Sequence, residues 1–324
     1  MPGRHTNIPR RVAAAAFALI VVAHAPLRAQ PASPAAPALG DAPKYASRPL
    51  ATVPNAAAIR ARMWAPRLDD GYAAQGVAAG GGWLWVVAYQ STDQTPDRGP
   101  CTVFRVDPAT GLTHGQFRLP ATCTAPGGIA WAGDGTLLVA DADRVYRIDT
   151  KAALAAGECV DDGCRTIPLG GQVHGPTLAA RGDALWIGES TADYKGPGRM
   201  FRFPLSGVRR LPADTEITEA LADRTLSITA ATRGAAVALD GRLWLVQGDS
   251  RSGRLQRIDP DSGRVLEEYP VVAGIGDIDF GPDGVLWAVS DSGSRRSLPW
   301  ATFFPLVFSI DTRALSVPAG FPAL

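Results

Sequence analysis

The chain has 324 residues, with 32 Lys and Arg against 31 Asp and Glu for a net charge of +1. That balance argues against a nucleic-acid binder, which carries a basic excess or stripe. Hydrophobic residues make up 46% of the chain, enough for a large core, and 35 Gly and 27 Pro fall between the apolar runs, as turn-rich β proteins require.

In chain order, Arg4, Arg10 and Arg11 precede an apolar run from Val12 to Ala25 that only His24 interrupts. The run is shorter than the roughly 20 residues a bilayer span needs. Leu27-Arg28-Ala29 offers a cleavage site before Gln30, so residues 1–29 read as an export signal. Arg10-Arg11 lacks the continuation of a twin-arginine signal, and no Cys follows the run to take a lipid. Residues 30–58 are rich in Ala and Pro and read as a disordered or extended linker, which leaves residues 59–324 as the folded domain. The expected location is periplasmic or secreted. Four cysteines fit an oxidising compartment. Cys159 and Cys164 can close a tight loop, which leaves Cys101 for Cys123 on either side of a hairpin turned at Asp107-Pro-Ala-Thr-Gly111.

From residue 76 onward one phrase recurs, a turn followed by Leu-Trp at the head of an apolar run. It reads Gly80-Gly-Gly-Trp-Leu-Trp, Gly133-Asp-Gly-Thr-Leu-Leu, Arg181-Gly-Asp-Ala-Leu-Trp, Asp240-Gly-Arg-Leu-Trp and Pro282-Asp-Gly-Val-Leu-Trp. The aligned positions are Trp85, Leu138, Trp186, Trp244 and Trp287, at intervals of 43 to 58 residues, the period of a repeat architecture. Each unit holds short β runs with period-2 alternation, such as Arg144-Val-Tyr-Arg-Ile-Asp. Four-stranded antiparallel units in radial order make an all-β propeller. Five units are visible. The last lacks a clear fourth strand, and Arg60–Leu68 stands where one belongs before the first unit, so it is expected to clasp the ring shut. Residues 215–233 are too short for a standard blade and read as a loop, a short helix or part of a degenerate sixth.

The turn-Leu-Trp phrase followed by Leu-x-Arg-Ile-Asp resembles the bacterial propellers that include the SMP-30/gluconolactonase family, NHL repeats and streptogramin lyase-like proteins. The resemblance spans residues 60–315 and implies the fold, with activities ranging from metal-dependent lactonase or lyase to none. The lactonase metal site needs Asn ligands, and this chain has only Asn7 and Asn55. Asp277 stands one residue out of register with that family's Asp. The lyase pattern of a His before one strand and a Glu ending the next is approached by His174 and Glu189, with one residue more between them.

A physical argument runs beside the resemblance. In a propeller the start of each first strand and the end of the second lie on one face near the axis. The pairs so placed are Gln75 with Tyr89, Gly127 with Asp141, His174 with Glu189, Arg233 with Gln247, and Asp277 with Asp291. Two readings follow. In the first, a metal-dependent hydrolase or lyase acts on a small lactone, ester or cyclic peptide. Its working groups are His174, Glu189 and Arg233, with a Ca2+ or Mg2+ ion held by Glu189, Asp277 and Asp141. In the second, a non-catalytic propeller binds a small ligand or partner protein through Gln75, Tyr89, Gln247 and Trp300. Asp141, Asp249 and Asp291 also read as plain turn caps, and the insert Leu298–Pro305 reads either as a ligand wall or as packing. A third reading, a quinone-cofactor propeller, lacks the expected Trp-docking pattern. A monomer is expected, because a clasped ring leaves no long free edge.

Overall fold

The computed structural model describes residues 1, 3, 37–93, 99–160, 163–189, 197–212, 214–318 and 321. The export signal expected at residues 1–29 lies outside the described residues apart from Met1 and Gly3. From residue 37 onward the described chain forms twenty strands in five four-stranded antiparallel sheets. The first strand, β1 (Ile59–Trp64), precedes blade 1, which is β2 (Tyr72–Gly80), β3 (Trp83–Gln90), β4 (Cys101–Val106) and β5 (Thr113–Arg118). Blade 2 is β6 (Ile129–Gly133), β7 (Thr136–Asp141), β8 (Arg144–Asp149) and β9 (Cys164–Pro168). Blade 3 is β10 (Thr177–Arg181), β11 (Ala184–Gly188), β12 (Gly198–Pro204) and β13 (Arg224–Ile228). Blade 4 is β14 (Thr232–Val237), β15 (Leu243–Gly248), β16 (Gly253–Ile258) and β17 (Val265–Val271). Blade 5 is β18 (Ile275–Phe280), β19 (Leu286–Ser290) and β20 (Leu306–Ile310), completed by β1. The protein is a five-bladed β-propeller, with β2, β6, β10, β14 and β18 around the axis.

The clasp forms as the missing fourth strand required. β1 runs antiparallel to β20, with Met63 opposite Val307 and Trp64 opposite Leu306. There is no sixth blade among the described residues. The segment after β12 makes a short helix (Leu205–Arg210), and Arg224–Ile228 then becomes the outer strand of blade 3. A helix (Thr150–Ala156) that the strand pattern did not announce joins β8 to β9. It starts at Asp149, whose carboxylate accepts the Lys151 and Ala152 N–H groups, and ends at left-handed Gly157.

The described part of the Ala/Pro-rich stretch is not a free tether. The Leu39 N–H bonds the Arg62 carbonyl at 2.8 Å, and the Ala51 N–H bonds the Phe303 carbonyl at 2.9 Å. Val53 is buried against blade 5. Low hydrophobicity alone does not reveal this docking, because hydrogen bonds carry much of it, from the main chain and from the side chains of Tyr45, Arg48 and Asn55.

The core is five inter-blade layers, and the repeated large residue supplies one side chain to each. Trp85 lies between blades 1 and 2, Leu138 between 2 and 3, Trp186 between 3 and 4, Trp244 between 4 and 5, and Trp287 between 5 and 1. Burying each contributes on the order of 2 kcal/mol or more, so the repeat encodes blade packing. The outer turns behave as their sequences dictate. In both Asp107–Gly111 and Asp259–Gly263, the Asp carboxylate accepts the N–H two residues on and the Gly adopts φ 73°. Both disulfides form, Cys101–Cys123 and Cys159–Cys164, with Cα separations of 6.0 and 5.1 Å.

Candidate functional site

An inner strand at the axis has one edge unpaired within its own blade, so its N–H groups need acceptors from elsewhere. Blade 5 provides them. Asp277 and Asp279, two apart on β18, both face the axis. The Asp277 Oδ2 accepts the Val77 N–H of blade 1 and the Ile129 N–H of blade 2, each at 3.3 Å. The Asp279 Oδ2 accepts the Ala79 N–H of blade 1 at 2.9 Å. The neck they fill is narrow. A Cβ on Gly234 of blade 4 would overlap the Asp277 Oδ1, so only glycine fits there.

Burial pushes the Asp277 carboxyl well up, and the charge of Asp279 adds to it, against the opposing N–H bonds of Ile278, Val77 and Ile129. Burial also raises Asp279, to about 7, against the Ala79 hydrogen bond and the Arg181 charge. Arg181 itself reaches from blade 3 to the Val237 carbonyl at 2.6 Å and to the Phe280 carbonyl.

Above this plug, on the face where the inner strands begin, is a cavity of about 200 Å³. Each blade contributes the residue at its approach to the axis: Gln75, Gly127, Pro176, Arg233 and Gly276, with Ala125 and Pro126 completing the wall. In blades 1, 4 and 5 these residues sit at β-bulges, where the register between first and second strands shifts at Gln75, Arg233 and Gly276. A bulge adds one residue and re-aims its side chain. Here it turns Gln75 and Arg233 into the mouth.

Gln75 is the hub. Its Nε2 donates to the Asp291 Oδ2 at 3.3 Å and to the Ala74 carbonyl at 3.1 Å, and its Oε1 accepts the Arg233 Nη2 at 3.4 Å. The Arg233 Nη1 donates to the Gly248 carbonyl at 3.3 Å. Arg233 is half-buried, and its hydrogen bonds are long and go to neutral acceptors. Asp291 is buried, which raises its carboxyl against the charges of Arg233 and Arg296 and the Gln75 bond. Its Oδ1 and the Gln247 Nε2 beside Arg233's strand have no partner.

The other expected residues lie elsewhere. His174 is exposed on the rim, two residues before the one that reaches the mouth. Glu189 pairs with Arg199 at 3.5 Å. Tyr89 is buried between blades 1 and 2 with the Arg296 guanidinium 5.5 Å from its ring centre. Trp300 packs over Gly274, while Phe303 and Phe304 are buried.

A divalent-ion cage from Glu189, Asp277 and Asp141 does not fit these positions. Asp141 already accepts the Thr124, Ala125 and Ala142 N–H groups at 2.9, 3.2 and 2.7 Å. Among the described residues no three His, Cys, Asp or Glu side chains gather closely enough to hold a metal ion. A larger cavity of about 370 Å³ opens at the opposite mouth. Its polar groups, Arg181 and Asp279, are already engaged in bridging blades.

No family model and no curated protein matches the chain. Among solved structures, the glutaminyl cyclase of Myxococcus xanthus is similar at 12% identity and a TM-score of 0.47, over 78% of this chain and 94% of that one. A streptogramin B lyase is similar at 13% identity and a TM-score of 0.37, over 79% and 97%. Virginiamycin B lyase of Staphylococcus aureus is similar at 12% identity and a TM-score of 0.34, over 71% and 66%. The five-bladed ring matches the architecture implied by the sequence resemblance to the NHL and streptogramin lyase-like group. Likeness at this level carries no assignment of activity.

Proposed function

We propose that the protein is an exported β-propeller that binds a small polar solute at its upper mouth, as a monomer and without chemistry. The observation that carries this reading is the ring of five blade-start residues. Three present proline or main chain, two present Arg233 and Gln75, and Asp277 closes the floor. A concave site with a few convergent polar groups is what ligand recognition needs. Hydrolysis or elimination needs more, a base and an electrophile aimed at one point. His174 on the rim and Glu189 on Arg199 do not supply that pair. The basic and apolar leader and the two disulfides support export. Among the described residues no helix is long and apolar enough to cross a membrane.

The test is a thermal-shift panel of sugars, polyols, amino acids and small carboxylates on the protein purified from the full-length chain. Ester and lactone hydrolysis is assayed alongside. The expected result is saturable stabilisation by one class of compound, lost in Arg233→Gln, with no turnover. Turnover that disappears in His174→Ala and survives in Arg233→Gln would replace this reading with the enzymatic one.

A further inference from the structure

Resting on that binding reading, we infer that the solute is a small organic monocarboxylate of about two to four carbons, its carboxylate on Arg233 and a second oxygen on Gln75.

Size comes first. A cavity of about 200 Å³ holds the volume of about six or seven waters at roughly 30 Å³ each. It lies below the range of drug-sized pockets. Acetate, lactate and pyruvate fit within it.

Charge comes second. Among the described residues Arg233 is the one charged side chain in the cavity wall, and its guanidinium donates to the Gly248 carbonyl and the Gln75 amide oxygen. A half-buried guanidinium with neutral, distant acceptors gains most from a planar, bidentate anion. A cationic solute meets Arg233 with no carboxylate in the wall to offset it. A doubly charged phosphate would need more than one cation, whereas one guanidinium matches a monoanion.

The nearby acids repel such a guest least when protonated, and each already holds a donor of the ring. Asp277 lies below with its Oδ2 on two N–H groups, and Asp291 lies behind Gln75 with its Oδ2 on the Gln75 amide. Burial moves both toward the neutral acid.

The remaining wall completes the fit. Ala125, Pro126 and Pro176 present carbon to the short carbon chain. Gln75, nine-tenths buried, has its Nε2 on Asp291 and Ala74, and its Oε1 bears only the 3.4 Å contact from Arg233. That oxygen can accept a hydroxyl proton, which favours a 2-hydroxy acid over a simple fatty acid.

The test is isothermal titration of the full protein at constant ionic strength with lactate, propionate and the neutral isostere lactamide. Lactate is expected to bind one-to-one with Kd on the order of 0.1 to 1 mM, as so small a ligand allows. Propionate should bind several-fold more weakly, and lactamide at least about tenfold more weakly. Arg233→Gln should weaken lactate at least about tenfold and Gln75→Ala roughly fivefold. Arg233→Lys retains the charge and part of the affinity, and it serves if the Gln variant does not fold. Equal binding of lactate and lactamide overturns the inference. So does unchanged lactate binding in Arg233→Gln, or equal competition by chloride, which would mean an adventitious ion only. A neutral sugar or polyol that binds through Arg233 while no acid does would remove the carboxylate and leave the binding reading standing. A panel with no ligand at all removes both.

Discussion

Replacing Asp279 by Asn tests the electrostatics of the propeller neck. The asparagine oxygen still accepts the Ala79 N–H, so the bridge between blades 5 and 1 survives while the titration disappears. Burial holds the native carboxyl at about 7. An unfolded Asp titrates near 4. The folded chain therefore keeps a proton that the unfolded chain gives up over that interval. Stability from this proton is fully present below pH 4 and is lost as pH rises to about 7, after which it is flat. At 1.36 kcal/mol per pH unit the interval corresponds to about 4 kcal/mol, an upper figure for one carboxyl. The Arg181 charge and the Ala79 N–H oppose the rise, yet burial outweighs them because the side chain is almost wholly removed from water. Asp277 titrates in the same sense and remains in the variant, so the quantity to follow is the difference between wild type and Asp279→Asn. Urea unfolding at pH 4.5, 6 and 7.5 should show the variant gaining on the wild type by up to a few kcal/mol as pH rises. A difference that stays constant to within about 0.5 kcal/mol, or that runs the other way, refutes the reasoning.

Three further outcomes follow from the same geometry. Gly234→Ala should cost several kcal/mol or abolish folding, because its Cβ would overlap Asp277 and lie 2.9 Å from the Gly276 carbonyl; a melting temperature near wild type would contradict the tight neck. Removing Cys101–Cys123, whose cysteines are 22 residues apart, should cost about 3 kcal/mol, and Cys159–Cys164, five apart, about 2 kcal/mol; denaturation of each double Ser variant reads this, and equal losses would refute the loop-length argument. Carboxylate binding at the upper mouth should tighten as pH falls through the raised Asp291 titration, since protonation there frees Arg233 and Arg296 from a competing anion; a pH-independent lactate Kd between 4.5 and 8 would show that Asp291 does not tune the site.

The fold was legible because propeller packing repeats. Trp85, Leu138, Trp186, Trp244 and Trp287 mark one inter-blade layer each, and a missing fourth strand in the last unit pointed to Arg60–Leu68, where Ile59–Trp64 forms the closing strand. The site was legible only in part. Gln75 and Arg233 stand where strand-start reasoning puts them. Pro176 and Gly276 displace His174 and Asp277 from the mouth. In blade 5 the cause is a bulge between Ile275 and Asp277. One inserted residue flips every following side chain, and alternation alone does not reveal it. Asp279 was missed for a related reason. Alternating Asp in Gly-Asp-Ile-Asp-Phe looks like a solvent-facing strand side, yet all six residues of β18 are buried. The available signal was the position of β18 as an innermost strand, where an outward polar face does not exist.

Asn55 shows how such a ring is held where it closes. Apart from Asn7 it is the sole Asn of the chain, and its side chain ties the clasp to two other parts of the ring. Its Nδ2 donates to the Pro270 carbonyl at 2.8 Å and to the Ser316 carbonyl at 3.0 Å, while its Oδ1 accepts the Ser316 N–H at 2.9 Å. Its backbone is left-handed, with φ 55°, a conformation that Asn tolerates better than other side-chain-bearing residues. Alanine there loses four hydrogen bonds, the Ser316 hydroxyl to Oδ1 at 3.3 Å included, and adds backbone strain, about 2 to 4 kcal/mol together. Glycine removes the strain and keeps the loss of bonds, so Asn55→Gly should recover about 1 kcal/mol of the alanine penalty. The clasp lies at the sheet edge, away from the axis, so both variants should bind at the upper mouth with wild-type affinity. Equal stability of Asn55→Ala and wild type would mean that the β1–β20 pairing alone closes the ring.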